Sequence, residues 1–358
     1  MSINHTLDAN RARSRLRFWA GDLRQTRIMR YTFGVALTVA IAYGFDWPLA
    51  FLLPILTALF LSLPMPSPTL KSVSRNMLQT LGAFMVGAIF TIFLLPYPLV
   101  YVPLLGLCLF HIYYLANRGG SFWLVIMMLL AVLLLPMLGN TSEGLALGLA
   151  TGFVGTGWLT VGMILFMHTL IPDPPGGPAM SPRPGPKRGY SAPAAQAALK
   201  STIVVLPMAT LFLVFDFVGQ LLVMVFAAIF SLQPELSKGR QAGMDSLTST
   251  LIGGIAAFIV YRLIYAVPEY HFFIIVILLV SLLFGQQIFS GRPNARYYGS
   301  ALIAMLVLVN GSLGSEESVT SNLVIRLTFI SLAVLYVISS LRVVERYWPV
   351  KKRTLTVY

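Results

Sequence analysis

Phe230-Ser231-Leu232-Gln233-Pro234-Glu235-Leu236-Ser237-Lys238-Gly239-Arg240, followed by Thr250-Leu251-Ile252-Gly253-Gly254, has a second version earlier in the chain. There Phe60-Leu61-Ser62-Leu63-Pro64 is followed by Lys71, Arg75 and Thr80-Leu81-Gly82-Ala83. In each, an apolar run ends at a proline, a short basic loop is expected to follow, and a glycine-bearing apolar run comes next. Arg30 stands opposite Lys200, Asp46 opposite Asp216, Pro64 opposite Pro234 and Thr80 opposite Thr250, all at an offset of 170 residues (46 to 216). Gly139 and Gly314 are 175 apart, after small insertions. A fixed long period marks a duplication.

The surrounding composition says what is duplicated. Of 358 residues, 57% are hydrophobic and only 10% charged, against about 25% charged in soluble domains. Mean hydropathy is +0.80. Apolar runs approach the ~18 residues that suggest a bilayer-crossing helix. They predict an all-α polytopic membrane protein with spans at 28–45, 48–63, 77–95, 99–116, 121–138 and 145–171. A second set follows at 201–215, 217–232, 247–266, 272–289, 298–311 and 323–344. The expected layout is a basic cytoplasmic segment 1–27, a first six-helix repeat 28–171, a Pro/Gly-rich cytoplasmic linker 172–198, a second repeat 199–344 and a basic tail 345–358. The linker stretch 172–193 holds eight prolines, which precludes a helix there.

Charge gives the orientation. With the N-terminus inside, 23 of the 25 Lys and Arg residues fall on inner segments; Arg262 and Arg326 are the exceptions. The positive-inside rule then predicts twelve spans with both termini cytoplasmic. Each half has an even number of spans, so the repeats should be parallel, related by an axis along the membrane normal. Residues 1–30 lack an apolar signal-peptide core. Leu16, Trp19 and Leu23 among arginines suit an amphipathic surface helix as well as a disordered basic flank. The net charge of +13 reads as a topology signal, so no nucleic-acid partner is expected.

No phosphate-binding loop is present, and no close His/carboxylate pair offers a metal site. His5, His111, His168 and His271 are scattered, and Cys108 is the single cysteine. No enzymatic activity, metal or cofactor is expected. The polar groups in or near the bilayer are the informative ones, because burying them is costly. Asp46 and Asp216, at the first hairpin of each half, suit proton coupling or, more simply, solvated turns. His111 suits titration near neutral pH or a hydrogen bond within the bundle. Arg30 reads as snorkelling to inner headgroups, and Lys200 is balanced between that role and a site. Arg326 breaks the charge bias. It suits a cation drawing an anionic substrate into a cavity, or an ion pair with Glu316 or Glu317. Asn310, Gln220 and Gln233 are further candidates for a polar lining. Gly82, Gly87, Gly253 and Gly254 fall at helical spacing and suit close helix packing.

Ser231-Leu232-Gln233-Pro234, then Gly239-Arg240, then Thr250-Leu251-Ile252-Gly253-Gly254-Ile255-Ala256-Ala257, resembles the fusaric-acid-resistance and aromatic-acid-exporter superfamily. Arg75 with Thr80-Leu81-Gly82 looks like the same motif in the first half. The resemblance implies a bacterial inner-membrane efflux permease for small aromatic or related organic acids, or related toxic compounds. It implies drive by the proton gradient and a periplasmic membrane-fusion adaptor as partner, with a homo-oligomer also open. Two departures stand out: Leu63 replaces the glutamine, and the large cytoplasmic domains of many such exporters are missing. Competing expectations are an organic-anion channel, as in the similar-looking aluminium-activated malate transporters, and a non-catalytic assembly factor.

Overall fold

A computed structural model describes residues 23–47, 49–63, 69–174, 189–216, 221–232, 236–313 and 319–347. The described residues form twelve helices and no strand. In the first half these are α1 (Leu23–Gly44), α2 (Leu52–Ser62), α3 (Leu70–Ile89, continued by a π turn Phe90–Leu94), α4 (Pro98–Asn117), α5 (Phe122–Thr141) and α6 (Glu143–Leu170). The second half has α7 (Ala192–Val214), α8 (Leu221–Phe230), α9 (Leu236–Ala266), α10 (Tyr270–Ile288), α11 (Ala295–Leu313) and α12 (Val319–Tyr347). Eight helices, all but α1, α2, α8 and α11, are long and apolar enough to cross a membrane. The protein is a multi-pass membrane protein.

Two elements differ from expectation in a paired way. The second and eighth spans, read as 16-residue crossings, are α2 and α8 of 11 and 10 residues. At 1.5 Å per residue these reach about 16 and 15 Å, half of a ~30 Å hydrocarbon core. The basic residues after the proline motif differ as well. Lys71 and Arg75 lie in the first turns of α3, and Lys238 and Arg240 in those of α9. No proline interrupts Leu236–Ala266, so its 31-residue helix runs about 46 Å, longer than the core is thick.

The helices gather into two compact units. Unit 1 is Met1–Leu78, Gly152–Pro182 and Thr248–Val324; unit 2 is Gln79–Thr151, Arg183–Leu247 and Ile325–Tyr358. Each draws on both halves of the sequence. Within unit 1, α1 packs on α2 and on α10, and α11 packs on α10 and α2. Its core joins Tyr31, Val35 and Val39 of α1 to Ile277 of α10 and Leu302 and Met305 of α11. Within unit 2, α7 packs on α8 and on α4, and α5 packs on α4 and α8. Its core joins Val205 and Ala209 of α7 to Leu105, Leu109 and Tyr113 of α4 and Met224 of α8. Counting each helix by its place in its own half, these four pairings of one unit correspond to the four of the other; unit 2 also packs α5 on α7.

The hairpin acids correspond too. Asp46 and Asp216 each follow a helix end in the left-handed backbone region, at φ 48° and 52°. Asp and Asn tolerate that conformation, whereas β-branched residues do not. Both are exposed, and Asp216 accepts a hydrogen bond from Asn140 Nδ2 at 3.2 Å. Asp46→Asn is expected to leave thermal stability unchanged within about 0.5 kcal/mol, and Asp46→Val to cost ~1–2 kcal/mol. Thermal unfolding of the purified variants measures both.

Candidate functional site in the second unit

A helix end buried away from water leaves its last carbonyls unsatisfied unless other groups donate to them. At the C-terminal end of α8 the chain supplies the donors itself. Tyr113 of α4, fully buried, donates its hydroxyl to the Ala228 carbonyl at 3.0 Å. Ser201 of α7 donates its hydroxyl to the Ser231 carbonyl, one residue past the helix. The serine of Phe230-Ser231-Leu232 thus sits at a capped, buried helix end. On another side of the same turn, Ala228 and Ile229 line an apolar groove with Ile126, Leu129, Leu130 and Leu133 of α5.

Lys200 precedes Ser201 on α7. It lies one turn before Val204 and two before Met208, on a stripe packed against Ala227 and Phe230 of α8 and Ile330, Val334, Val337 and Leu341 of α12. It is 4% exposed. Among the described residues its Nζ has no hydrogen-bond partner, and neither has Ser231 Oγ. An ammonium taken from water without an acceptor is among the costliest burials in a protein.

The corresponding place in unit 1 is built differently. Arg30, also 4% exposed, donates through Nε and Nη2 to the Ile171 carbonyl at 3.1 and 2.8 Å. Its Nη2 also meets Asp173 Oδ1 at 2.6 Å. Arg30 therefore caps the end of α6 and pairs with an acid instead of snorkelling to headgroups. Its neighbour Tyr31 stands at the position of Ser201. On α10, which packs against α1, a Cβ on Gly285 would lie 3.3 Å from Tyr31 Cδ1.

Arg326 is buried, at 8% exposure, on α12. It lies ten residues before Tyr336, whose hydroxyl donates to the Val204 carbonyl at 2.7 Å. That is about 15 Å along the helix axis. Asn310 Oδ1 accepts from the Tyr43 hydroxyl at 2.7 Å within unit 1. His111 is exposed, its Nδ1 2.8 Å from the carbonyl of Leu107 on its own helix. Gln220, Gln233, His5, Glu316 and Glu317 lie outside the described residues, as do residues 1–22 and the proline motifs themselves. No cluster of three or more His, Cys, Asp or Glu suited to a metal occurs among the described residues.

The glycines divide. A Cβ on Gly87 would sit 2.7 Å from the Ala131 carbonyl oxygen, and one on Gly253 would clash with the Ala301 carbonyl oxygen. In both halves, then, a glycine of the third helix lies against an alanine carbonyl of the fifth. Gly254 is crowded by the Leu323 side chain, whereas a Cβ on Gly82 would meet nothing within 4 Å. The sequence carries no local signal for Tyr113 or Asp173. The signal for Ser201 and Ser231 was the 170-residue offset itself, which sets them opposite Tyr31 and Leu61.

A family profile described as "Protein of unknown function (DUF2955)" matches residues 27–167, which run from α1 into α6 and no further. No curated protein and no solved structure matches the chain.

Proposed function

We propose that this protein is a membrane carrier that exports small organic acids, with Lys200 holding the carboxylate. The observation that carries this reading is the buried Lys200 ammonium with no acceptor among the described residues. It lies on the stripe that packs against the last turns of the half-length helix α8. A pair of unusually short apolar segments at corresponding places in two halves is a recurrent mark of a transporter site.

In this reading the chain is two parallel six-helix repeats with both termini in the cytoplasm of a bacterial inner membrane. Three things support it: the 170-residue offset, the four corresponding helix pairings, and a family match that covers one half. The proton gradient drives export, and a periplasmic membrane-fusion adaptor carries the substrate onward. The chain itself performs no catalysis and carries no cofactor. Arg326 is a second cation on the route, away from Lys200.

The test is counterflow in proteoliposomes. Purified protein with benzoate trapped inside should accumulate labelled benzoate, saturably and faster with an imposed pH gradient. Arg326→Gln should slow uptake severalfold at unchanged protein level. Unsaturable conductance without counterflow would make the protein a channel. No flux for benzoate or any other small organic acid would overturn the reading.

A further inference from the structure

We propose that the Arg30–Asp173 pair in unit 1 is a second carboxylate-binding site, occupied by the chain's own carboxylate. The inference rests on the reading of Lys200 as an anion site and extends it to the other half. Arg30 stands at the offset position of Lys200 and is buried to the same degree. The difference is the counter-charge. In unit 1 it comes from Asp173, three residues beyond the end of α6 and about a third exposed, so it lies within reach of water. In unit 2 no described residue supplies it. The stretch after α12, Trp348-Pro349-Val350-Lys351-Lys352-Arg353, contains no acid in its sequence.

Asp173 also shows what such a site accepts. Arg30 gives two donors to one backbone carbonyl and one to a carboxylate oxygen. Removing that carboxylate leaves a buried guanidinium with a neutral carbonyl as its described acceptor, open on the side where Asp173 entered. A small monocarboxylate replaces the lost group in charge and in hydrogen-bond geometry. A tethered carboxylate outcompetes a free one because its effective concentration is high, in the millimolar range or above for a short tether. The duplicated protein therefore keeps one site open and one closed.

The experiment counts bound benzoate per chain by equilibrium dialysis on the purified full-length protein, and follows thermal unfolding against added acetate. The expected counts are one for the wild type, two for Asp173→Ala and one for Asp173→Ala combined with Lys200→Met. Asp173→Ala alone should be destabilised and regain stability as acetate is raised, a response the wild type lacks. If Lys200 is not an anion site, the wild type binds none, yet Asp173→Ala still binds one and still shows the acetate rescue. Asp173→Asn keeps the side chain's size and one acceptor, so it guards against a variant that does not fold. It should show a weaker form of the same rescue. A folded Asp173→Ala or Asp173→Asn that binds no more benzoate than wild type and ignores acetate overturns the proposal.

Discussion

Lys200→Met is expected to make the protein more stable and to cut its transport sharply. The two effects share one cause. Met keeps the length of the lysine stem and fits the stripe formed with Val204, Met208 and the facing residues of α8 and α12. It removes an ammonium that is 96% buried and has no described acceptor. The penalty for such a group is several kcal/mol even after relaxation, and replacing buried ionic groups by apolar ones of similar volume has stabilised proteins by about 1–4 kcal/mol. The melting temperature should rise by several degrees. Benzoate counterflow should fall by at least about tenfold, since a charge-assisted bond to a carboxylate contributes roughly 1.5–3 kcal/mol. Lys200→Arg keeps the charge and should retain part of the flux. A structural lysine would behave in the opposite sense, with stability falling and flux following protein level. Thermal unfolding beside counterflow at matched protein amount separates the two. Stability bought at the expense of activity is the mark of a group retained for function.

The second large effect is a change of sign among glycines that look alike in sequence. Gly82, Gly87 and Gly253 all lie within long helices, where Gly→Ala ordinarily stabilises by about 0.5–1 kcal/mol through reduced backbone entropy. At Gly82 nothing lies within 4 Å of the new methyl, so Gly82→Ala should show that gain. At Gly87 the methyl would come 2.7 Å from the Ala131 carbonyl oxygen. At Gly253 it would press on the Ala301 carbonyl oxygen and lie 2.9 Å from Ala304 Cβ. Backbone atoms of a packed helix yield little, so both substitutions should cost about 1–3 kcal/mol. Gly87→Val and Gly253→Val should reduce folded protein in the membrane further. Size-exclusion profiles and unfolding temperatures of the variants would show it. Equal responses at all three positions would remove the close approach of the third and fifth helices from the account of packing.

The membrane class, the helical content and the order of the helices were legible in the chain because they depend on local quantities, although α7 begins at Ala192, inside the stretch 172–198 read as a linker, with Pro193 tolerated in its first turn. Apolar run length decides whether a segment belongs in a bilayer, and Asp46 and Asp216 mark the ends of the first helix of each half by their tolerance of left-handed backbone. The offset between Arg30 and Lys200 identified the two positions where a cation sits one helix start away from the proline motif. Hydropathy did not show that α2 and α8 would be helices of only 11 and 10 residues, because it measures preference for lipid, not whether the backbone stays helical. A segment can remain apolar while its carbonyls turn to Tyr113 and Ser201. Nor could a one-dimensional pattern say that α1 would pack on α10 while α7 packed on α4, since every apolar helix has a face that suits many others. The tertiary structure alone decided which of the two cations has an acid. Asp173 closes on Arg30 across 143 residues of sequence, and nothing described does the same for Lys200. Charge partners of that separation are chosen by the fold, since burial sets the cost of leaving a charge unpaired and only packing determines what lies within reach.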